Sequence, residues 1–246
     1  PMTIKLLIAL AAMAASALPQ TTGRLANSMS AADKAVVVVT PDWDAVQGTL
    51  QRYERAHGTW QQIGAAIPVV VGRSGMAWDP RIARAYPGVD AGPIKHESDG
   101  RSPAGIFHLK QVFGFSASLP GVDNYLPIAA GTECVDDIHS RSYAQIVDRQ
   151  KVATVDWNSS EKMRDVPGYR WGAVVDYNME NTVPGDGSCI FLHQWSGPTS
   201  GTAGCTAMSS ADVETLIHWL ADDRQAVLVQ LPRSEYQARR GKWHLP

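Results

Sequence analysis

Ser188-Cys189-Ile190-Phe191-Leu192-His193-Gln194-Trp195, then a loop of Gly, Pro, Ser and Thr, then Thr202-Ala203-Gly204-Cys205-Thr206-Ala207-Met208, is the stretch that organises this chain. The short apolar run predicts a strand that delivers His193, on the face opposite Leu192. Eleven residues separate His193 from Cys205, enough for a return that sets the two side by side. A thiol attacks only as thiolate, so a catalytic cysteine needs a base, stabilised charge and access. A lone cysteine is more often a small buried hydrophobe, and a lone histidine more often structural. Here the cysteine's flanks are small and polar, and the two residues occur together. The stretch reads as the active site of a secreted cysteine enzyme, with Cys205 as nucleophile and His193 as base.

The 246 residues are enough for one large domain or two small ones. A net charge of -2 and no Lys/Arg run argue against a nucleic-acid partner or a polybasic membrane anchor. Eight tryptophans are the one compositional excess, which would suit a protein handling a glycan-peptide polymer. Lys5 precedes the apolar run Leu6 to Ala14, and Ala15-Ser16-Ala17 has the small-x-small form of a cleavage site. Residues 1–17 are therefore expected to be a signal peptide, 18–35 a flexible leader and 36–246 a single catalytic domain. The apolar run is too short to span a bilayer in the mature protein, and export to a bacterial periplasm is expected.

Export bears on the three cysteines, Cys134, Cys189 and Cys205. An odd number in an oxidising compartment leaves one unpaired, and three pairings are open. Cys134–Cys189 is favoured because it spares Cys205, and it would add roughly 3–4 kcal/mol by closing the loop.

Elsewhere, Val36 to Val39 reads as a strand. Val46, Leu50 and Tyr53 predict a helix over Trp43–His57, stopped at Gly58. Ile67 to Trp78 predicts a strand and hairpin, and Lys95 to Phe107 a polar loop entering a strand. The region Ser116–Ser160 reads as long loops with a short helical piece near Tyr143–Val147. Trp171 to Tyr177 and Cys189 to Trp195 are central-strand candidates. Ser209 caps a helix running to Asp223 with the stripe Val213, Leu216, Ile217 and Leu220. Val227-Leu228-Val229 is a last strand, followed by a polar tail through Trp243. Short strands, few helices and no βαβ alternation imply a mainly β fold.

The seven histidines are scattered without metal-ligand spacing, so no metal site is expected. The chain has neither a phosphate-binding Gly-x-x-x-x-Gly-Lys loop nor a Gly-x-Ser-x-Gly elbow. No carboxylate lies in the His193 motif, so a backbone carbonyl, that of Gln194, is the candidate for orienting the imidazole.

The histidine, loop and Thr202-Ala203-Gly204-Cys205 resemble the L,D-transpeptidase catalytic domain (YkuD-like) family, whose signature is a histidine, a loop and Ser/Thr-x-Gly-Cys. Gly100-Arg101-Ser102-Pro103-Ala104-Gly105-Ile106-Phe107 resembles the family's Gly-x-Thr-Pro-x-Gly-x-Phe segment, with Ser102 in place of threonine. The likeness runs from about Val36 to Trp243. It implies a β-sandwich or barrel-like domain with a few packed helices and a cofactor-free acyl transfer on peptidoglycan stem peptides. In that chemistry the cysteine cuts the L,D bond of a tetrapeptide stem, releases D-alanine and passes the acyl group to an amine or to water. Carried over, Cys205 is the nucleophile, His193 the base, Gln194 the orienting carbonyl and Gly204 part of the oxyanion hole. Thr202, at the Ser/Thr position, is expected to brace the loop; Thr202, Trp195, Ser102 and Arg101 are candidate substrate contacts, and a monomer is expected. Many relatives have Arg or Asn two residues after the cysteine, where this chain has Ala207, which leaves the acceptor open. Three further readings are a hydrolytic variant, a non-catalytic wall-binding domain, and an unrelated cysteine protease with Asn178 or Asp176 as third member.

Overall fold

The computed structural model describes residues 29–86, 89, 92–222 and 224–246, so the expected signal peptide and the leader up to residue 28 lie outside it. The leader's described end is not free chain: Met29 and Ala32 are buried in the core, and Lys34 and Ala35 belong to the first strand.

That strand, β1 (Lys34–Thr40), carries the valine run and is buried almost throughout. Its neighbours explain why. It pairs in parallel with β13 (Ala226–Pro232) and antiparallel with β2 (Gln47–Ala56), so both its edges are used.

The helix expected over Trp43–His57 is instead β2, one arm of a long hairpin with β3 (Thr59–Val70). The two residues between the arms, His57 and Gly58, both have positive φ (50° and 78°), the geometry that matches strand twist in a two-residue hairpin. Gly58 therefore turns a hairpin, and pairing with β1 and β3 overrides a weak helical spacing. The ladder's register shifts between Leu50 and Arg52, and opposite it Gly64 has φ 66°.

The chain continues through β4 (Met76–Trp78) and a short helix α1 (Pro80–Ala85), capped by Asp79 with Pro80 in its first turn. β5 (Ser102–Gly114) is the longest strand and pairs with β4, β13, β6 (Tyr125–Pro127) and β10 (Trp171–Val175). β11 (Phe191–Gln194) and β12 (Thr206–Met208) complete a ring in the order β10-β11-β12-β3-β2-β1-β13-β5, closed by the β5–β10 pairing. The mainly β, barrel-like architecture agrees with the sequence reading.

The region 116–160 holds strands rather than a helical piece. β7 (Thr132–Val135), β8 (Ile146–Asp148) and β9 (Ser160–Lys162) form a separate three-stranded sheet in the order β8-β7-β9. Tyr143 and Ala144 lie in the turn before β8, with Ala144 at φ 61°.

Helix α2 (Ser210–Leu220) has the expected cap, Ser209 accepting from the Asp212 amide, and it packs Val213, Leu216, Ile217 and Leu220 toward β10, β11 and β12. The polar tail is a helix, α3 (Arg233–Arg239), beyond which Trp243 and Leu245 return to the core. Trp243 meets Trp78 and Tyr86 edge-to-face, with centroids 6.4 and 5.6 Å apart.

Candidate active site

β11 and β12 run in parallel, with Leu192 opposite Thr206 and His193 opposite Ala207. One residue upstream, the Phe191 N–H points at Cys205 Sγ, 3.3 Å away, and the thiol lies 3.5 Å from the Cys189 carbonyl. Registered residues of parallel strands share a face, as do alternate residues of one strand. Cys205, Phe191 and His193 therefore project to the same side, while Leu192 enters the barrel core. That side is a second apolar cluster built on Phe113, Met163, Tyr169, Phe191 and the Cys134–Cys189 region. The Phe113, Tyr169 and Phe191 rings pack edge-to-face, and the His193 ring meets Tyr169 edge-on as well, with centroids 5.0 Å apart.

His193 Nδ1 lies 2.7 Å from the Gln194 carbonyl oxygen. A carbonyl only accepts, so Nδ1 carries the proton and Nε2 is left as the basic nitrogen. Burial of the ring lowers its pKa to about 4, against a smaller raising effect of the Gln194 bond. Burial also pushes the Cys205 thiol up, reinforced by the charge of Glu161 and opposed by the Phe191 amide. The resting site is thus a neutral thiol on the same face as a neutral imidazole. Among the described residues no hydrogen bond joins them directly, and the thiol's polar contacts are the Phe191 amide, the Cys189 carbonyl and the Tyr169 hydroxyl.

Gly168 protects the histidine's bond. It lies in a 3-10 turn (Pro167–Arg170), and a Cβ there would sit 2.6 Å from the Gln194 oxygen and 3.1 Å from His193 Nδ1. Gly168→Ala must displace the carbonyl, the ring or the turn. Since small misplacements of a catalytic group are costly, acylation of Cys205 is expected to slow at least about tenfold. Stopped-flow mass spectrometry beside a melting curve checks this, and a parent-like rate would show that the bond does not govern the base.

The turn ahead of Cys205 is braced from two elements. Thr202 Oγ1 donates to the Cys205 carbonyl (2.6 Å) and accepts from the Gly204 amide (3.0 Å). Ser102 Oγ, fully buried, donates to the same carbonyl (3.0 Å) and accepts from the Gly72 amide (2.9 Å). Both hydroxyls are consumed in holding the nucleophile's main chain, so neither Thr202 nor Ser102 has the free hydroxyl expected of a substrate contact. The Gly204 amide is likewise engaged, on Thr202 Oγ1. Arg101 is turned away from the thiol, onto Asp44 (2.8 Å) and the carbonyls of Met76 and Trp43. Trp195 is half-buried, with its amide on the Met208 carbonyl. Ala207 is fully buried, in register with His193 on β11 and Val70 on β3, so it projects to the same side as the imidazole.

Cys134 and Cys189 form the expected disulfide across 55 residues, and Cys205 is the free thiol. The bridge ties β7 to the residue whose carbonyl faces the nucleophile. Cys189 sits at φ 57°, a left-handed conformation that a non-glycine residue adopts only under constraint. Asn178 spends its amide on Val183 and Gly187, and Asp176 pairs with Lys110, so neither serves His193.

A cavity of about 160 Å³ opens beside the thiol, lined by Cys205, Gly204, Ala203, Ser188, Glu161 and Asp136 together with Arg73, Lys95 and Glu97. Glu97 accepts from Tyr143 and Ser188, and Lys95 pairs with Asp99 at 2.6 Å. Glu161, on β9, and Asp136, just after β7, carry no signal in the sequence and come to the thiol with the three-stranded sheet. Arg73, Lys95 and Glu97 come instead from the loops after β3 and before β5. A larger depression of about 260 Å³, lined by Leu109, Gln111, Asp123, Leu220 and Arg224 among others, contains no histidine or cysteine.

A barrel that presents a thiol and a carbonyl-oriented imidazole on adjacent parallel strands, beside an open cavity, belongs to the class equipped for thiol-dependent acyl chemistry. Residues 58–229 match the family model of the L,D-transpeptidase catalytic domain, YkuD, and the chain belongs to that family. Two solved structures are similar over most of this chain. The structure of Bd1075 from Bdellovibrio bacteriovorus has 14% identity and a TM-score of 0.39, covering 88% of this chain and 56% of the other. The helical cell shape determining protein Pgp2 from Campylobacter jejuni has 12% identity and a TM-score of 0.35, covering 86% and 55%. This chain thus spans just over half the length of each. Comparison with curated proteins gives no match. The family acts on peptidoglycan, and no helix among the described residues is long and apolar enough to cross a membrane.

Proposed function

We propose that this protein is an exported peptidoglycan L,D-transpeptidase working through a thioester on Cys205. The observation that carries the reading is the pairing of β11 with β12, which sets the thiol and the His193 ring on one face with Nδ1 held by Gln194. His193 Nε2 takes the thiol proton as Sγ attacks the carbonyl carbon of the stem's L,D bond. The developing oxyanion meets the Cys205 amide, and the imidazolium then protonates the departing D-alanine amine. An amine acceptor resolves the thioester, regenerating the thiol. The steps call for no metal or organic cofactor, and among the described residues no three His, Cys, Asp or Glu gather as a metal site.

Mature protein incubated with a disaccharide-tetrapeptide is expected to gain the acyl mass on Cys205 and to release D-alanine. If neither adduct nor product forms, the reading is wrong. A hydrolytic variant is the same sequence with water as acceptor, suggested by Ala207 standing where many relatives carry Arg or Asn, and it would yield the tripeptide alone. A purely binding role draws less support, because Trp78, Trp157 and Trp243 of the tryptophan excess are interior.

A further inference from the structure

The cavity beside Cys205 carries more carboxylate than thioester formation needs. Glu161, on β9, pairs in register with Cys134 and so reaches the thiol through the disulfide-bonded sheet. One of its oxygens, Oε2, accepts from the Tyr169 hydroxyl at 2.5 Å. Tyr169 is the ring packed on His193, and Oε1 accepts no hydrogen bond among the described residues. Asp136 and Glu97 line the same cavity and repel the Glu161 charge, and Asp136 Oδ1 is buried without a partner. Of the two cations present, Lys95 is already paired with Asp99, and the Arg73 guanidinium lies over Gly100. Three carboxylates converging on a confined space, two with unused oxygens, favour a ligand that brings positive charge and several N–H donors.

Resting on the acyl-transfer reading above, we propose that Glu161 receives the ammonium of the acyl acceptor and takes its proton. The acceptor ammonium gives one proton to the Glu161 carboxylate. The freed amine attacks the thioester carbon, forming the C–N bond as the C–S bond breaks. The nitrogen's second proton goes to the departing sulfur, restoring the Cys205 thiol, and Glu161 returns its proton to solvent. Burial, with the nearby Asp136 and Glu97 charges, raises Glu161 to about 7, a basicity suited to this exchange near neutral pH. Tyr169, by holding Oε2, fixes the carboxylate and is a positioning residue.

The test measures how the thioester divides between an amine and water. With the disaccharide-tetrapeptide as donor and D-methionine as acceptor, the parent protein's ratio of exchange product to tripeptide is the reference. Glu161→Gln is expected to lower that ratio at least about tenfold and to raise the D-methionine concentration needed for half-maximal exchange. Glu161→Asp, which keeps the charge but withdraws it by one methylene, is expected to lie between, and it stands in if the first variant fails to fold. An unchanged ratio in a folded variant overturns the proposal, even if adduct formation slows, because a merely structural role would depress both products alike. If the parent itself forms no adduct, the acyl-transfer reading falls and this inference with it.

Discussion

Cys205→Ala is expected to form no acyl adduct, and His193→Ala to slow adduct formation by about 10²- to 10⁴-fold, the range usual for loss of a general base. The thiol is buried at the wall of the cavity and burial holds it protonated at rest, so it depends on the base at the moment of attack and holds no standing thiolate. The two losses should not add: the double variant behaves as Cys205→Ala, since base and nucleophile act as a unit. The pH profile gives a second reading of the same geometry. His193 has a pKa lowered to about 4, so the imidazole stays neutral and able to accept a proton as pH falls through 6.5. The acid limb of adduct formation is therefore expected near pH 4, two or more units below that of an exposed histidine. A limb at 6.5 would mean that the ring is solvated in the working enzyme. Intact-protein mass spectrometry over pH 4–8 supplies both measurements.

The next largest effect is expected from the disulfide. Cys134→Ser, or reduction of the parent, removes a cross-link spanning 55 residues, roughly 4 kcal/mol in the chain-entropy account. For a domain of this size each kcal/mol is about 2–4 °C, so the melting temperature should fall by roughly 8–16 °C. Activity should fall further than stability alone requires. The bridge fixes Cys189, whose carbonyl contacts the thiol, and it holds the small sheet that carries Glu161. Calorimetry with and without reductant, beside adduct formation well below the melting point, separates the two effects. A reduced protein that melts and acylates like the oxidised one would mean that the bridge is incidental to both.

The parts of this molecule legible in the sequence are those set by short-range pattern. The valine run of β1, the capped stripe of α2 and the β11–loop–Cys205 segment each announce themselves within a dozen residues. The hairpin over residues 47–70 does not, because Val46, Leu50 and Tyr53 fit a helical spacing and only pairing with β1 decides between the two. Ser102 and Arg101 stand out through the family's upstream motif, yet they act inwardly, on the Cys205 carbonyl and on Asp44. Conversely Glu161, Tyr169, Asp136 and Gly168 carry no local signal. Their place at the thiol comes from the β7–β9 register and from a 3-10 turn folded under Gln194, which are long-range facts.

The register shift in the β2–β3 hairpin has a consequence for how the molecule behaves among its own copies. Residues 59–66 of β3 pair only with β2, and they carry no charged side chain to discourage a further strand from adding. An incoming strand would need a straight, regular row of donors and acceptors. The shift and the left-handed Gly64 interrupt that row, and the Gln51 amide already occupies the Ile63 and Gly64 carbonyls. An uncharged margin that would otherwise template fibre growth is thus broken in its middle, where a glycine and one glutamine do the work usually left to lysine.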